Sequence, residues 1–445
     1  MTFPLPLAPF EEYMLVDDRP AHPMSFFLRL RFDGLLQHDR LNDAFHSGVS
    51  RHPLLASNVR RPSANRFEWV PEDFQSLQVV WRTTENVEVG AIDLEREYGV
   101  RIIGAEDQGQ TELLLQFHHS CCDAMGACQF IHDLLVAYHR GDRPPAAIPV
   151  EQVAFELLLR RAKFGIKRVK LKGLAHKLAV GSARARKFLM RRAVPIKPVE
   201  KHSTEESLPK NFPTSCTHRF DEPQTEGLVN GARRSGATVN SVLVRDLFLS
   251  VGTFRRQRNL GRDKDWLRLV VPVNMRKAGD EQLPAANVVS MVFLDRHPRD
   301  CDDRGTLLKS IHDEMTEIKQ GRLGLTFLLS LRLRRSLPGA IRRLRKQTAK
   351  AVCQGTCVIS NLVSPWKDSA LCNSDGKLVI DGIILQGVEF LPPVRPYTSA
   401  AIGAVTYAGR LSLALHFDSR VLDAQEADGI LSTYVDYLNQ SMAAA

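Results

Sequence analysis

Apolar residues recur along this chain in two registers. Ser25 to Arg31 reads as a strand, as does Leu77 to Arg82. Val100–Ile103 and Glu112–His119 are apolar runs separated by Asp107-Gln108-Gly109-Gln110, which signals a hairpin. Leu41 to Val49 reads as a short helix. Beyond Asp123, Ala127, Phe130, Ile131, Leu134, Leu135 and Tyr138 follow at spacings of three and four, one apolar helical face with Asp123 as its N-cap. Gly126 near its start weakens the helix but permits close backbone packing. Gly141-Asp142-Arg143-Pro144-Pro145 ends it.

The same mixture returns later. Cys216–Phe220 reads as a strand leading through Asp221 and Pro223 into a helix that ends near Gly236. Thr238 caps another helix, with Val239, Val242, Leu243 and Leu247 on one face. Trp266–Val273 and Asn287–Leu294 read as strands, and Leu307–Lys319 as a helix. Val358–Leu362, Lys377–Leu385, Ala400–Tyr407 and Arg410–Phe417 are further strands, before a closing helix at Ala424–Leu438. In the last strand Leu411, Leu413, Leu415 and Phe417 alternate onto one face. No motif repeats internally.

A chain of 445 residues exceeds one ordinary core, so two lobes are expected. The prolines Pro198, Pro209 and Pro213 mark the connection, giving lobes at 1–200 and 201–445. Met1–Asp17 carries no Lys or Arg ahead of its apolar residues, so no signal peptide is read there. The apolar run Leu323–Leu333 is too short to span a bilayer. The eight cysteines have no framework spacing, so reduced thiols in a cytoplasmic protein are expected.

The net charge of +10 is unevenly placed. No acidic residue occurs from Leu157 to Val199, a stretch rich in Lys and Arg with local helical character. Arg332, Arg334, Arg335, Arg342, Arg343, Arg345, Lys346 and Lys350 form a second basic stretch. Such clusters attract polyanions, although a solvated face beside a linker gives the same pattern. The mixed basic and apolar pattern of 157–199 suits a helical flap on an anionic membrane, or a guide for a carrier protein or phosphorylated donor. Few aromatics interleave with these charges, so nucleic acid is not an expected partner.

The stretch with most chemistry is His118-His119-Ser120-Cys121-Cys122-Asp123. A histidine at a strand end works as a general base near neutral pH, and a nearby aspartate can fix its orientation. A histidine pair in a strand more often packs than catalyses. A zinc reading exists because Cys128 and His132 crowd the same region, but adjacent cysteines lack structural-zinc spacing, so no metal is expected. Cys121 and Cys122 read as small buried hydrophobes.

This run resembles the HHxxxD motif of the chloramphenicol acetyltransferase-like superfamily, which includes condensation domains, wax ester synthases and polyketide-associated acyltransferases. Gly236-Ala237-Thr238-Val239-Asn240-Ser241 resembles its Gly-x-Thr-x-Asn-Asp segment, with Ser241 where Asp is usual. Val271-Pro272-Val273-Asn274-Met275-Arg276 resembles its Pro-Val-Asn-Leu-Arg strand end, and Ser360-Asn361-Leu362 its Ser-Asn strand. Leu411–Phe417 with Asp418 resembles its final strand. Ala124 stands where the family has Gly, and the Asp-Phe-Gly-Trp-Gly signature of the plant branch is absent.

The resemblance implies a mixed α/β fold of two similar lobes, with a tunnel at their interface. It implies a freestanding acyltransferase moving an acyl group from a thioester to an alcohol or amine. The donor would be acyl-coenzyme A or an acyl carrier protein, with no permanently bound cofactor. By position, His119 would take the acceptor's proton, Asp123 would hold the loop and pair with an arginine, and His118 would pack on the other side of the strand. Ser360 and Asn361 are oxyanion candidates, and Asn274 and Arg276 would support the lobe interface. The alternative keeps the fold without the activity: a degenerate condensation-like binding or scaffold protein, which a cavity blocked at Ala124 would favour.

Overall fold

The alternating segments become strands because each has one face to bury, and the hairpin signal at 107–110 joins two of them. In the computed structural model, which describes residues 3–82, 89–141, 152–163, 186–199, 207–262, 264–350 and 352–443, Val100–Asp107 and Gln110–His118 pair antiparallel. Gln108 and Gly109 both take positive φ, +47° and +80°, as a two-residue turn matched to strand twist requires. Ser25–Asp33 pairs along the other edge of Gln110–His118. Val80–Arg82 adds parallel to Val100–Asp107, so only the end of the expected Leu77–Arg82 strand enters the sheet.

The sheet is finished from elsewhere. Ile383–Leu391 and Val379–Ile380, within the stretch assigned to the second lobe, pair next to Ser25–Asp33 in this first sheet. The expected strand over Lys377–Leu385 is thus two strands and extends further along the chain. To reach the first sheet, Ile383–Leu391 crosses the second lobe at Gly403. A β-carbon there would lie 1.8 Å from the Phe390 carbonyl oxygen, so only glycine fits.

The second sheet runs in the order Val289–Arg296, Leu267–Asn274, Cys357–Asn361, Ala400–Tyr407, Arg410–Phe417, Ser215–Arg219. Cys357–Asn361 is parallel to both its neighbours, and the other pairings are antiparallel. Each sheet packs helices against itself: Ala124–Arg140 and His38–Arg51 on the first, Val239–Gln257 and Ala424–Ala443 on the second. A structural repeat appears that no sequence motif announced. Strand, two-residue turn, strand and helix recur at 100–140 and at 400–443, with Ala408 and Gly409 matching the positive φ of Gln108 and Gly109.

Three small additions complete the fold. Pro9–Asp17 is a helix that the sequence pattern did not announce, and a three-stranded sheet forms from Leu5–Pro6, Arg66–Pro71 and Ser57–Ser63. Gly324–Arg335 and Ala340–Thr348 are helices in the second basic stretch. The lobe boundary at 200 is crossed in both directions. Ile196 is buried in the second core, and Ala193 bridges to Trp266. Met275, Leu283, Ala285, Ala286 and Val288 are buried with the first core. Of the basic segment 157–199, residues 164–185 lie outside the described residues. Among the described residues no helix is long and apolar enough to cross a membrane.

Candidate active site

Gln110–His118 ends with His118 opposite Ser25. Pleat alternation sends His118 and His119 to different sides. His118 is buried, accepts from the Ser120 amide through Nδ1 at 3.1 Å, and sets Nε2 at 3.5 Å from Asp18 Oδ2. Burial acts to raise the Asp18 carboxyl, but His118 and the Met24 amide outweigh it and hold the group below its ordinary value. His118 therefore packs, as strand geometry predicts.

His119 is half-buried and lines a cavity of about 480 Å³ between the lobes. Its amide donates to the Met24 carbonyl at 2.7 Å. Phe26 meets its ring edge-on at 5.1 Å. Burial pushes the imidazole below its ordinary value, and the Asp123 charge only partly opposes this. The ring is neutral at pH 7 and able to accept a proton.

Asp123 caps the helix Ala124–Arg140, accepting from the Gly126 amide at 2.9 Å through Oδ1. Its Oδ2 takes Arg276 Nη1 at 2.7 Å and the Val288 amide at 2.8 Å. Burial alone would raise this carboxyl; Arg276 and the two amides bring it below its ordinary value. Both oxygens are thereby occupied, and the contact that fixes His119 comes instead from Asn287. Its Nδ2 donates to the His119 carbonyl at 2.7 Å and lies 3.4 Å from Nδ1. Sequence reasoning placed Asn287 only as the residue leading a strand.

Arg276 also donates to the Ala286 carbonyl at 3.1 Å, while Asn274 Oδ1 accepts from the Arg276 amide at 3.0 Å. Arg276 thus ties the second lobe to the first. Gly126 allows this tie: a β-carbon there would lie 3.0 Å from Ala286 N and 3.2 Å from Ala285 Cα. Nearby, His52 Nδ1 accepts from the Ala285 amide at 2.8 Å, a second strut on the same loop.

Asn274, Ser360, Asn361, Asp123 and Ala124 line the cavity with His119. Asn240 does not; it lies in the first turn of Val239–Gln257. Gly126 and His118 do not line it either. Phe10, Tyr13 and Met14 of the N-terminal helix form an unforeseen wall, with Phe390 from the crossing strand and Arg395 from the loop after it. Phe10, Tyr13 and Met14 stand at helical spacing, a signal in the sequence that could have found them.

Cys121 and Cys122 are fully buried, and burial pushes both thiols well above their ordinary value. Cys128 is pushed up to about 12 by the same cause. None is a ready nucleophile at neutral pH. Among the described residues no cluster of three or more His, Cys, Asp or Glu is placed to hold a metal.

No family model matches the chain. A 161-residue stretch is 27% identical to uncharacterized proteins from two Mycobacterium tuberculosis strains, covering 34% of this chain and 37% of theirs. The solved structures are more informative about fold. The first condensation domain of the CDA synthetase superposes with a TM-score of 0.72 at 14% identity, covering 99% of this chain and 97% of that one. Polyketide synthase associated protein 5 from Mycobacterium tuberculosis gives 0.59 at 14%, covering 99% of both. TRI3 trichothecene 15-O-acetyltransferase from Fusarium sporotrichioides gives 0.69 at 11%, covering 98% of this chain and 94% of that one.

Proposed function

Because the chain carries the two-lobed chloramphenicol acetyltransferase-like fold, we propose that it transfers an acyl group from a thioester to an alcohol or amine, with His119 as general base. The observation that carries this reading is the placement of His119. It is a neutral imidazole, held by Asn287 at the backbone, standing in a cavity between lobes. Backbone carbonyls at His119 and Cys122 accept from the ring, and the tautomer with its proton on Nδ1 leaves the Nε2 lone pair for the acceptor's proton.

The acceptor's O–H or N–H gives its proton to Nε2 as its lone pair attacks the thioester carbonyl. Collapse of the tetrahedral intermediate breaks the C–S bond, and the leaving thiolate takes the proton back. A positioned base of this kind contributes roughly 10² to 10⁴ in rate. Ser360 and Asn361 are the candidate donors to the oxyanion. Asn361 Oδ1 accepts from the Val363 amide at 2.8 Å, which leaves its amide nitrogen as the candidate donor. Asp123 acts through Arg276 as a positioning residue.

The thioester is carried by coenzyme A or by an acyl carrier protein, and both arms belong in the test. Purified protein is offered acyl-coenzyme A, then acyl carrier thioester, with mixed alcohols and amines, and thiol release is followed. His119→Ala activity equal to wild type removes the assigned base. An inactive binding protein on this fold would need the cavity closed at Ala124 or His119 turned away. Both residues line the same open cavity, which favours the enzyme.

A further inference from the structure

Part of the first basic stretch is spoken for among its described residues. Arg161 is buried and clasps both oxygens of Glu11 through Nε and Nη2. Arg191 lies over the Trp266 ring at 3.9 Å, and Lys197 pairs with Glu426 at 2.8 Å. The second stretch differs. No Asp or Glu occurs from Ile318 to Lys367. Arg332, Arg342, Arg343, Arg345, Lys346 and Lys350 are exposed and have no ion-pair partner among the described residues.

The helix Ala340–Thr348 explains how this charge is presented. Ile341 and Thr348 are buried, and Leu344 is half-buried. At about 100° per residue, Arg342, Arg343 and Lys346 fall on the opposite side. Large aliphatic side chains stand out beside them: Leu333 is 70% exposed and Leu337 46%. Across a neighbouring chamber of about 2260 Å³, Leu189 and Met190 are 78% and 72% exposed, flanked by Lys187 and Arg192. The chamber's walls include Phe188, Phe293, Phe327, Leu331 and Leu344, and it shares Tyr13, Met291 and Phe293 with the His119 cavity.

Exposed aliphatic residues are costly in water when grouped, and unpaired cations repel one another. An anionic bilayer relieves both: headgroups meet the cations while Leu and Met enter the acyl boundary. A surface of acidic side chains alone would answer the charge but leave the aliphatic side chains wet. We propose that the face formed by 186–192 and 332–350 docks on an anionic lipid surface, with the aliphatic side chains Leu189, Met190, Leu333 and Leu337 turned toward it. This holds whether or not the acyltransferase reading does, because it concerns binding alone.

Sedimentation of the full chain with vesicles tests it. Pelleting is expected with phosphatidylcholine–phosphatidylglycerol vesicles and not with phosphatidylcholine alone, and it weakens with salt. Arg342→Ala/Arg343→Ala/Lys346→Ala should weaken binding about fivefold per charge, on the order of a hundredfold in all. Leu333→Ser/Leu337→Ser, which leaves every cation in place, should weaken it on the order of tenfold. Circular dichroism of both variants should match wild type, since all five positions are exposed. Equal pelleting with neutral and anionic vesicles, or wild-type binding by either variant, overturns the proposal. Affinity for soluble polyglutamate equal to that for the anionic vesicles and untouched by Leu333→Ser/Leu337→Ser assigns the face to an acidic protein, and also overturns it.

Discussion

Arg276 reaches from the second lobe to Asp123 in the first, Nη1 to Oδ2 at 2.7 Å, with both side chains largely buried. The pair fixes the segment that follows His119, and it joins the lobes beside the cavity. Removing Arg276 leaves a buried, unpaired carboxylate. Arg276→Ala should cost about 3–5 kcal/mol, read by denaturant unfolding. Thiol release should fall with it, because the helix start shifts.

The same pair sets an acid dependence. The folded Asp123 carboxyl lies below its unfolded value, so its stabilisation is complete above about pH 4 and is lost as pH falls through the folded value. Wild type should lose more stability than Asp123→Asn over that interval. Parallel losses in an acid unfolding series would remove Asp123 from the acid response.

His119 titrates in the other direction of interest. Its imidazole is lowered by burial, so the base form is complete at pH 7 and is lost only as pH falls well below about 6.5. The rate of thiol release should be flat from pH 7 upward and fall on the acid side. His119→Ala should lose roughly 10² to 10⁴ in rate with unfolding unchanged to within about 1 kcal/mol.

Ala124 sits in the cavity wall at the first position of its helix. Ala124→Gly should cost no more than about 1 kcal/mol and keep activity, since a methyl is removed from open space. Ala124→Trp should fill the space beside His119 and lower thiol release roughly 10²-fold without unfolding the protein. Unchanged turnover of a bulky acceptor in Ala124→Trp would place the acceptor elsewhere.

Gly403 tests the crossing of the two lobes. Gly403→Ala drives a methyl onto the Phe390 carbonyl, a backbone atom with nowhere to go. The cost should reach or exceed the top of the ~1–3 kcal/mol range for overpacking, seen as a loss of folded yield or a lowered unfolding midpoint.

Much of the site was legible because its signals are local. The Asp-Gln-Gly-Gln turn, the Asp123 cap and the alternation of His118 and His119 each depend on a few neighbouring residues. The distribution of Phe10, Tyr13 and Met14 was harder to read, since Glu11 and Glu12 are buried within the same helix and blur its apolar face. Glu11 is tolerated there only because Arg161, Trp69 and the Ala8 amide satisfy it. Asn287 was missed as a holder of His119 because a lone Asn before a strand has no pattern. The pairing of Ile383–Leu391 with Ser25–Asp33 was invisible for a different reason: alternation tells which face is buried, not which sheet a strand joins.

That pairing bears on how the chain is made. The first sheet gains its last long strand only after residue 391 leaves the ribosome, some 270 residues behind His118. At about 5–20 residues per second, the outer edge of Ser25–Asp33 waits on the order of 15–55 seconds for its partner. Throughout that wait the nascent first half presents an unpaired strand edge flanked by Phe26, Phe27, Leu28 and Leu30, the kind of edge other chains adopt. Expression of residues 1–200 alone would make the wait permanent.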